Sequence, residues 1–122
     1  LWHRCGLVVP WNDPAVDIDR KLQVDPELFV VGLQGTELVA SAMGGYDGHR
    51  GSIFYLAVDP DHQGQGCGSK IVEHLVHLLT TRGCPKLNIL VRSTNQEVIE
   101  FYRRLGFNSE EILCLGKRLI ED

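Results

Sequence analysis

A run of alternate glycines lies in the segment HQGQGCGSK, between an apolar stretch and an amphipathic one. Gly64, Gly66 and Gly68 let the backbone turn tightly and bring its amides close to an oxygen. A helix that begins directly after them adds unpaired amides and the positive end of its dipole. The segment therefore predicts a site for a phosphate-bearing ligand. A tight structural loop is the alternative that the glycines alone leave open.

The spacing of these glycines argues against two familiar phosphate loops. A P-loop requires a glycine directly before its lysine, whereas Ser69 precedes Lys70 here. A Rossmann fingerprint reads G-x-G-x-x-G, whereas residues 64–68 read G-x-G-x-G, and no acidic residue ends the next predicted strand. A general nucleotide-binding domain is therefore disfavoured.

Two separated motifs point to one family. Gln63, Gly66 and Gly68 form the pattern Q-x-x-G-x-G, and a second pattern, N-x-x-x-x-x-F-Y-x-x-x-G-F, runs from Asn95 to Phe107. With these motifs in this order, the chain resembles the GNAT family of acyl-CoA N-acyltransferases. The stretches PWNDP and MGGYDGHRG further resemble its YpeA-like bacterial branch.

The resemblance implies an acyl-CoA site built largely from backbone. Amides of the glycine loop would bind the CoA pyrophosphate, and the strand before the loop would pair with the pantetheine arm like an added strand. The residues that the resemblance assigns to CoA are Leu56, Ala57, Val58, Gln63, Gly64, Gln65, Gly66, Cys67, Gly68, Ser69 and Asn95. Acetyl-CoA is the implied co-substrate, and no metal is implied.

Tyr102 matches the family tyrosine that donates a proton to the departing CoA thiolate. Its alternative role is that of a half-buried aromatic on an apolar helix face. The implied reaction transfers an acetyl group from acetyl-CoA to the primary amine of a small molecule or peptide. A non-catalytic acyl-CoA-binding module with the same fold is the alternative function.

No general base is evident in the sequence. Tyr46, Asp47 and His49 lie in a glycine-punctuated loop between two predicted strands, where they are candidates for binding the amine acceptor. Ordinary turn chemistry at Asp47-Gly48 and a water chain to bulk solvent are the alternatives. Tyr55 lies within the strand that the resemblance assigns to CoA.

A mixed sheet flanked by helices is needed to position these residues. Asp13 and Pro14 predict the start of a first helix, which ends near Val24. Apolar periodicity predicts strands at residues 28–33, 37–43, 52–58, 87–91 and 112–120, a helix at residues 69–82, and a helix from a capping box at Thr94 to Leu105. The order indicates the α/β class, with antiparallel strands followed by a βαβ crossover as in the GNAT fold.

Length and composition indicate one domain over residues 1–122. The net charge of -4 without a basic cluster argues against nucleic-acid binding. The four cysteines are scattered and form no zinc-binding pattern. No apolar run reaches the roughly 18 residues of a membrane helix, so no membrane partner is expected. No metal is expected either, because the cysteines lack a ligand pattern. Scattered cysteines are typical of reduced thiols, so a cytoplasmic location is expected.

The N-terminal residues differ from the usual family pattern. GNAT domains commonly open with a strand, whereas residues 1–7 read as the inside of a helix, so the first strand is expected to be missing. An exposed sheet edge left by that strand would favour a homodimer.

Overall fold

The computed structural model describes residues 1–2, 5 and 13–120. The helices in this part of the chain are α1 (Pro14–Gln23), α2 (Cys67–Thr81) and α3 (Gln96–Arg104). The strands are β1 (Phe29–Gln34), β2 (Glu37–Tyr46), β3 (Gly51–Val58) and β4 (Leu87–Asn88). Short 3-10 turns at Pro26–Leu28 and Pro60–His62 precede β1 and follow β3.

The strands lie side by side in chain order. β1, β2 and β3 pair antiparallel, and α2 then carries the chain across so that β4 pairs parallel with β3. A parallel neighbour needs such a crossover because a tight turn can only reverse the chain. The predicted α/β class, with antiparallel strands followed by a βαβ crossover, is confirmed.

Asp13 begins α1 as predicted. Its carboxylate accepts a hydrogen bond from the amide of Ala15 at 3.0 Å, and Pro14 occupies the first turn, where no amide donor is needed. After α1 the chain turns at Asp25, whose carboxylate accepts a hydrogen bond of 3.1 Å from the guanidinium of Arg82. This ion pair joins the end of α1 to the end of α2.

The apolar face of α2 packs on the sheet, with Ile71, Val72, Leu75 and Leu79 buried. Leu75 lies so close to β2 that a Cβ on Gly44 would be 2.7 Å from its Cδ2 atom. The predicted end of the second strand at residue 43 is too early, because β2 continues through Gly44 to Tyr46. Gly44 does not mark a turn here, and its missing side chain lets α2 pack closely on β2.

Leu75→Ala is expected to lower the free energy of unfolding by about 2–5 kcal/mol, because Leu75 is fully buried and its removal leaves a cavity under the sheet. Val76→Ala is the matched control, since Val76 is the next residue of the same helix and 40% exposed. Urea unfolding of both variants measures the difference. Equal losses in the two variants would contradict the packing described here.

The predicted strand at residues 112–120 is also wrong. The structure assigns no strand to these residues, and Leu113, Leu115 and Leu119 are 88%, 91% and 87% exposed. Their apolar character favours extended backbone, but a strand also needs a paired neighbour. β4 is only two residues long and offers little edge for pairing.

Several predicted boundaries shift by a few residues. The predicted strand 87–91 pairs only at Leu87 and Asn88, because the chain then leaves β3. α2 begins at Cys67 instead of Ser69, and Asn95 caps α3 instead of Thr94. Most of the helix expected at residues 1–7 lies outside the described residues.

Candidate active site

A cavity lies where β3 and the chain after β4 diverge. Their parallel pairing is limited to Gly51 with Leu87 and Ser52 with Asn88. Beyond these pairs the two segments separate around a cavity of about 770 Å³. Its walls come from β3, the glycine loop, residues 89–92 and α3. This volume lies in the range of about 300–1,000 Å³ that is usual for ligand sites.

A bulge in β3 lies at the level of this cavity. Ser41 of β2 is opposite Ala57, whereas Met43 is opposite Phe54, so β3 has one extra residue between these pairs. Tyr55 takes up the irregularity with a φ of 55°, a left-handed conformation that is rare for residues other than glycine. Because a bulge bends its strand, it helps β3 to part from its parallel neighbour.

The glycine loop has the geometry expected of an anion site. Gly64 and Gly66 both have a φ of 81°, which favours glycine. Gly66 is the residue before α2, and no side chain in the described part of the chain caps that helix. The first amides of α2 therefore lie at the positive end of the helix dipole without a side-chain acceptor among the described residues.

The loop residues lie along one wall of the cavity. Gln65 of the predicted loop does not line the cavity, whereas the other predicted loop residues do, namely Gln63, Gly64, Gly66, Cys67, Gly68 and Ser69. The side-chain amide of Gln63 donates to the carbonyl of Val58 at 3.3 Å, which ties the loop back to β3. Gly68 is buried under the ring of Phe101, and a Cβ at Gly68 would lie 3.2 Å from that ring.

The three predicted CoA residues of β3 divide between the two faces of the sheet. Leu56 and Val58 line the cavity and pack against the core under α2. Ala57 is 2% exposed and packs on the opposite face with Trp2 and Met43, outside the cavity lining. Only the backbone of Ala57 is therefore suited to a ligand in the cavity.

Tyr102 and Asn95 line the cavity from the side of α3. Tyr102 is 6% exposed and packs edge-to-face with Phe101 and Phe107, at centroid distances of 5.1 and 5.5 Å. Burial raises the pKa of Tyr102 to about 12. The phenol therefore keeps its proton near neutral pH. Asn95 caps α3, and its Oδ1 accepts from the amide of Val98 at 3.4 Å.

The predicted acceptor residues lie outside the cavity lining. The Tyr46 hydroxyl donates to the carbonyl oxygens of Gly48 and Gly83, at 3.4 and 3.5 Å. The Asp47 carboxylate accepts from the amides of Arg50 and His49, at 2.8 and 2.7 Å, and these bonds lower its pKa. The contacts among residues 46–50 build the hairpin turn, and the contact with Gly83 joins this turn to the end of α2. A role for Tyr46, Asp47 and His49 in acceptor binding stays a prediction.

Sequence reasoning assigned neither Arg92 nor Phe101 to the cavity that they line. Phe101 belongs to the second motif, and its contact with Gly68 joins the two motifs across the site. Arg92 directly follows the predicted parallel strand, and ligands of α/β sheets bind at this end of the strands. Its position in the sequence could therefore have indicated that it lines the cavity. Arg104 also lines the cavity, with its Nε 3.4 Å from Oε1 of Glu100.

Residues 1–2, 5 and 13–120 contain neither a metal-binding cluster nor a membrane-spanning helix. No group of three or more His, Cys, Asp or Glu side chains is arranged to hold a metal ion in this part of the chain. None of its helices has the length and apolar character required to span a bilayer.

The chain is similar to known proteins over most of its length. Residues 1–107 match the Acetyltransferase (GNAT) family. An acetyltransferase of Yersinia pestis (strain Pestoides F) is 52% identical over 122 residues, which are 100% of this chain and 86% of that protein. An acetyltransferase of Sodalis glossinidius is 51% identical over 123 residues, which cover 100% of this chain and 87% of that protein.

The fold is also similar to that of a solved acetyltransferase structure. The ribosomal-protein-S18-alanine N-acetyltransferase from Escherichia coli superposes with a TM-score of 0.72 at 28% identity. The superposition covers 89% of this chain and 70% of that chain.

Proposed function

Since the chain belongs to the GNAT acetyltransferase family, a family of acyltransferase enzymes, we propose that it transfers an acetyl group from acetyl-CoA to the primary amine of a small molecule or peptide. The observation that carries this proposal is one cavity with two different walls. The start of α2, which no described side chain caps, lies on one wall, and the buried Tyr102 lies on the other. An anion site and a proton donor in one cavity suit a phosphorylated acyl donor.

The glycine loop fits the pyrophosphate of CoA. Gly64 and Gly66 leave open space where a side chain would project, since a Cβ on either meets no atom within 4 Å. Backbone amides from Gln63 to Ser69 would donate to the phosphate oxygens, aided by the helix dipole. A site of this kind needs little side-chain charge, which is consistent with a chain of net charge -4.

The parted strands fit the pantetheine arm. β3 pairs with β4 at only two positions, so the edge of β3 from Ile53 to Val58 has no β4 partner among the described residues. A pantetheine amide is chemically equivalent to a peptide group and would bind this edge as an added strand does. The apolar side chains of Leu56 and Val58 line the same space.

The thioester carbon would then be attacked by the neutral amine, with the carbonyl oxygen polarised by a backbone amide of the β3 bulge. The C–S bond breaks as the C–N bond forms, and the departing sulfur takes up negative charge. The Tyr102 hydroxyl would donate to that sulfur. Burial disfavours the charged thiolate and so favours protonation of the departing sulfur, whereas the burial that raises the pKa of Tyr102 opposes loss of the phenol proton.

Thermal denaturation with different ligands tests the donor. Acetyl-CoA and CoA at about a hundred times their dissociation constants are expected to stabilise the protein by about 2.7 kcal/mol, because each binds only the folded state. NAD and ATP at equal concentration are the controls for a general nucleotide site. Stabilisation by NAD or ATP without stabilisation by CoA would overturn the proposal.

Thiol release from acetyl-CoA then tests for transfer. The amine panel comprises spermidine, lysine, phenethylamine, glucosamine and a peptide with an N-terminal alanine. Thiol release that depends on one of these amines, with the acetylated amine identified by mass spectrometry, would support the enzyme. Stabilisation by CoA with no release from any amine would favour the binding module.

A further inference from the structure

An exposed aromatic side chain, Phe54 of β3, lines the cavity on the face of the sheet away from α2. Its side chain is 49% exposed. Residues opposite each other in a strand pair share a face of the sheet, and Phe54 is opposite Met43, which packs with Trp2 on the face away from α2. Phe54 therefore lies on that face, where a ligand from solvent can cover its ring.

Leu90 is a second exposed apolar side chain, on the other wall of the cavity. Ile89 and Val91, its neighbours in the chain, pack against the core under α2. Leu90 lies between them and lines the cavity too, but it is 60% exposed. Phe54 and Leu90 thus belong to the two segments that separate beyond the pairing of β3 with β4. We call these two residues the apolar rim.

The position of the apolar rim along β3 separates it from the proposed donor site. The glycine loop follows the C-terminal end of β3, and Val58 and Leu56 line the cavity from that end toward the bulge. Phe54 lies beyond the bulge residue Tyr55, on the side remote from the loop. A donor with its pyrophosphate at the loop and its pantetheine along β3 would bring its thioester to the bulge. The apolar rim is then the part of the cavity left for the acceptor.

The charges that line the cavity do not suit an acceptor with several ammonium groups. Among the described residues, Glu97 is the only carboxylate in the lining, whereas Arg92 and Arg104 contribute two guanidinium groups. A polyamine would need carboxylates to replace the water around each of its charges. An aromatic ring has no such requirement and gains free energy by covering exposed apolar surface.

The polar groups beside Phe54 are already engaged with one another. The hydroxyl of Tyr55 donates a hydrogen bond of 2.5 Å to Oδ2 of Asp17 on α1, and its ring stacks on Trp2 with centroids 4.1 Å apart. The other oxygen of Asp17, Oδ1, lies 3.8 Å from the guanidinium of Arg20. The charge of this carboxylate is therefore compensated within the fold, and Phe54 is the side chain of this part of β3 that a ligand can cover.

We propose that the apolar rim determines acceptor specificity and selects a primary amine carried on an aromatic or branched apolar body, an inference that rests on the proposed function. The apolar body of the amine would cover Phe54 and Leu90 and remove their exposed surface from water. Its neutral amino group would then lie at the bulge, beside the thioester carbon. Amino sugars and polyamines would lose water at the rim without gaining a polar partner from its side chains.

Thiol release with phenethylamine, glucosamine and spermidine tests this selection. In the unaltered chain, kcat/KM for phenethylamine is expected to exceed that for either of the other amines by about tenfold or more. Phe54→Ala is expected to raise the KM for phenethylamine about tenfold and to leave kcat within about threefold, because contact with a ring remote from the reacting atoms is equal in the ground state and the transition state. Phe54→Leu keeps an apolar side chain and is expected to recover part of the loss.

Leu33→Ala is the matched control for Leu90→Ala. The two leucines are 62% and 60% exposed, but Leu33 lies on β1, outside the cavity lining. Leu90→Ala is expected to raise the KM for phenethylamine about fivefold, whereas Leu33→Ala leaves it unchanged. A higher kcat/KM for glucosamine or spermidine than for phenethylamine, or an unchanged KM in Phe54→Ala, would overturn the selection by the apolar rim.

Calorimetric titration of phenethylamine into the CoA-bound protein measures the apolar rim without turnover. Phe54→Ala is expected to weaken phenethylamine binding about tenfold, while the CoA dissociation constant stays within about twofold. Phenethylamine binding that Phe54→Ala leaves unchanged would overturn the role of the rim. Phenethylamine binding that Phe54→Ala weakens, without thiol release from any amine, would overturn the transferase activity alone.

Discussion

Tyr102→Phe is expected to lower kcat about a hundredfold, within the range of about 10²–10⁴ that a positioned proton donor contributes, and to leave acetyl-CoA affinity unchanged. The phenol is 6% exposed, and burial raises its pKa to about 12, so it remains a neutral donor throughout the working range of pH. Phenylalanine preserves the edge-to-face contacts with Phe101 and Phe107, since these involve only the ring. The change therefore isolates the hydroxyl.

Steady-state thiol release measures kcat of the Tyr102→Phe variant, and calorimetric titration with acetyl-CoA measures its binding. Thermal melting of the unliganded variant establishes that its core is intact. Unchanged kcat would remove Tyr102 from the chemistry. A loss confined to acetyl-CoA affinity would assign it to the wall of the cavity only.

Gly66→Val is expected to weaken acetyl-CoA binding about a hundredfold. Gly66 is left-handed with a φ of 81°, a conformation that a β-branched residue resists, so the loop must move and turn its amides away from the phosphates. Loss of about two hydrogen bonds to a charged group costs about 3 kcal/mol, and each 1.4 kcal/mol is a factor of ten in affinity.

Gly83→Val is the matched control for this loop variant. Gly83 has a φ of 82° and lies just beyond the other end of α2, so valine there introduces the same strain far from the glycine loop. Both variants are expected to lose stability in urea, whereas only Gly66→Val loses acetyl-CoA affinity in calorimetric titration. Equal affinity losses in the two variants would show that binding follows overall stability instead of loop geometry.

Elements with strong local signals were predictable from the sequence. The apolar stripe of α2, the Asp13 cap of α1 and the glycine loop are each encoded within a few residues, and the structure has them close to the predicted positions. The sequence predicted that the two motifs belong to one family pattern, but it did not predict which residues bring them together. The contact of Phe101 with Gly68 is what joins them in space.

Features that depend on distant residues could not be predicted. The bulge at Tyr55 is defined by register against β2, and the hydrogen bond to Asp17 spans 38 positions of sequence. Gly44 was misread because Leu75, which approaches it, is 31 positions away. Residues 112–120 were misread because apolar periodicity reports a preference for extended backbone and says nothing of a neighbouring strand.

The proposed pyrophosphate site, formed by main-chain amides, has a consequence for how this protein can change. Side chains at Gln65 and Cys67 can be replaced without altering an amide, so donor recognition is specified by backbone conformation and persists as long as the loop folds. Recognition of the proposed acceptor would depend instead on side chains, each of which one substitution can replace. Diversification of such a scaffold is therefore expected to produce new acceptors for an unchanged donor.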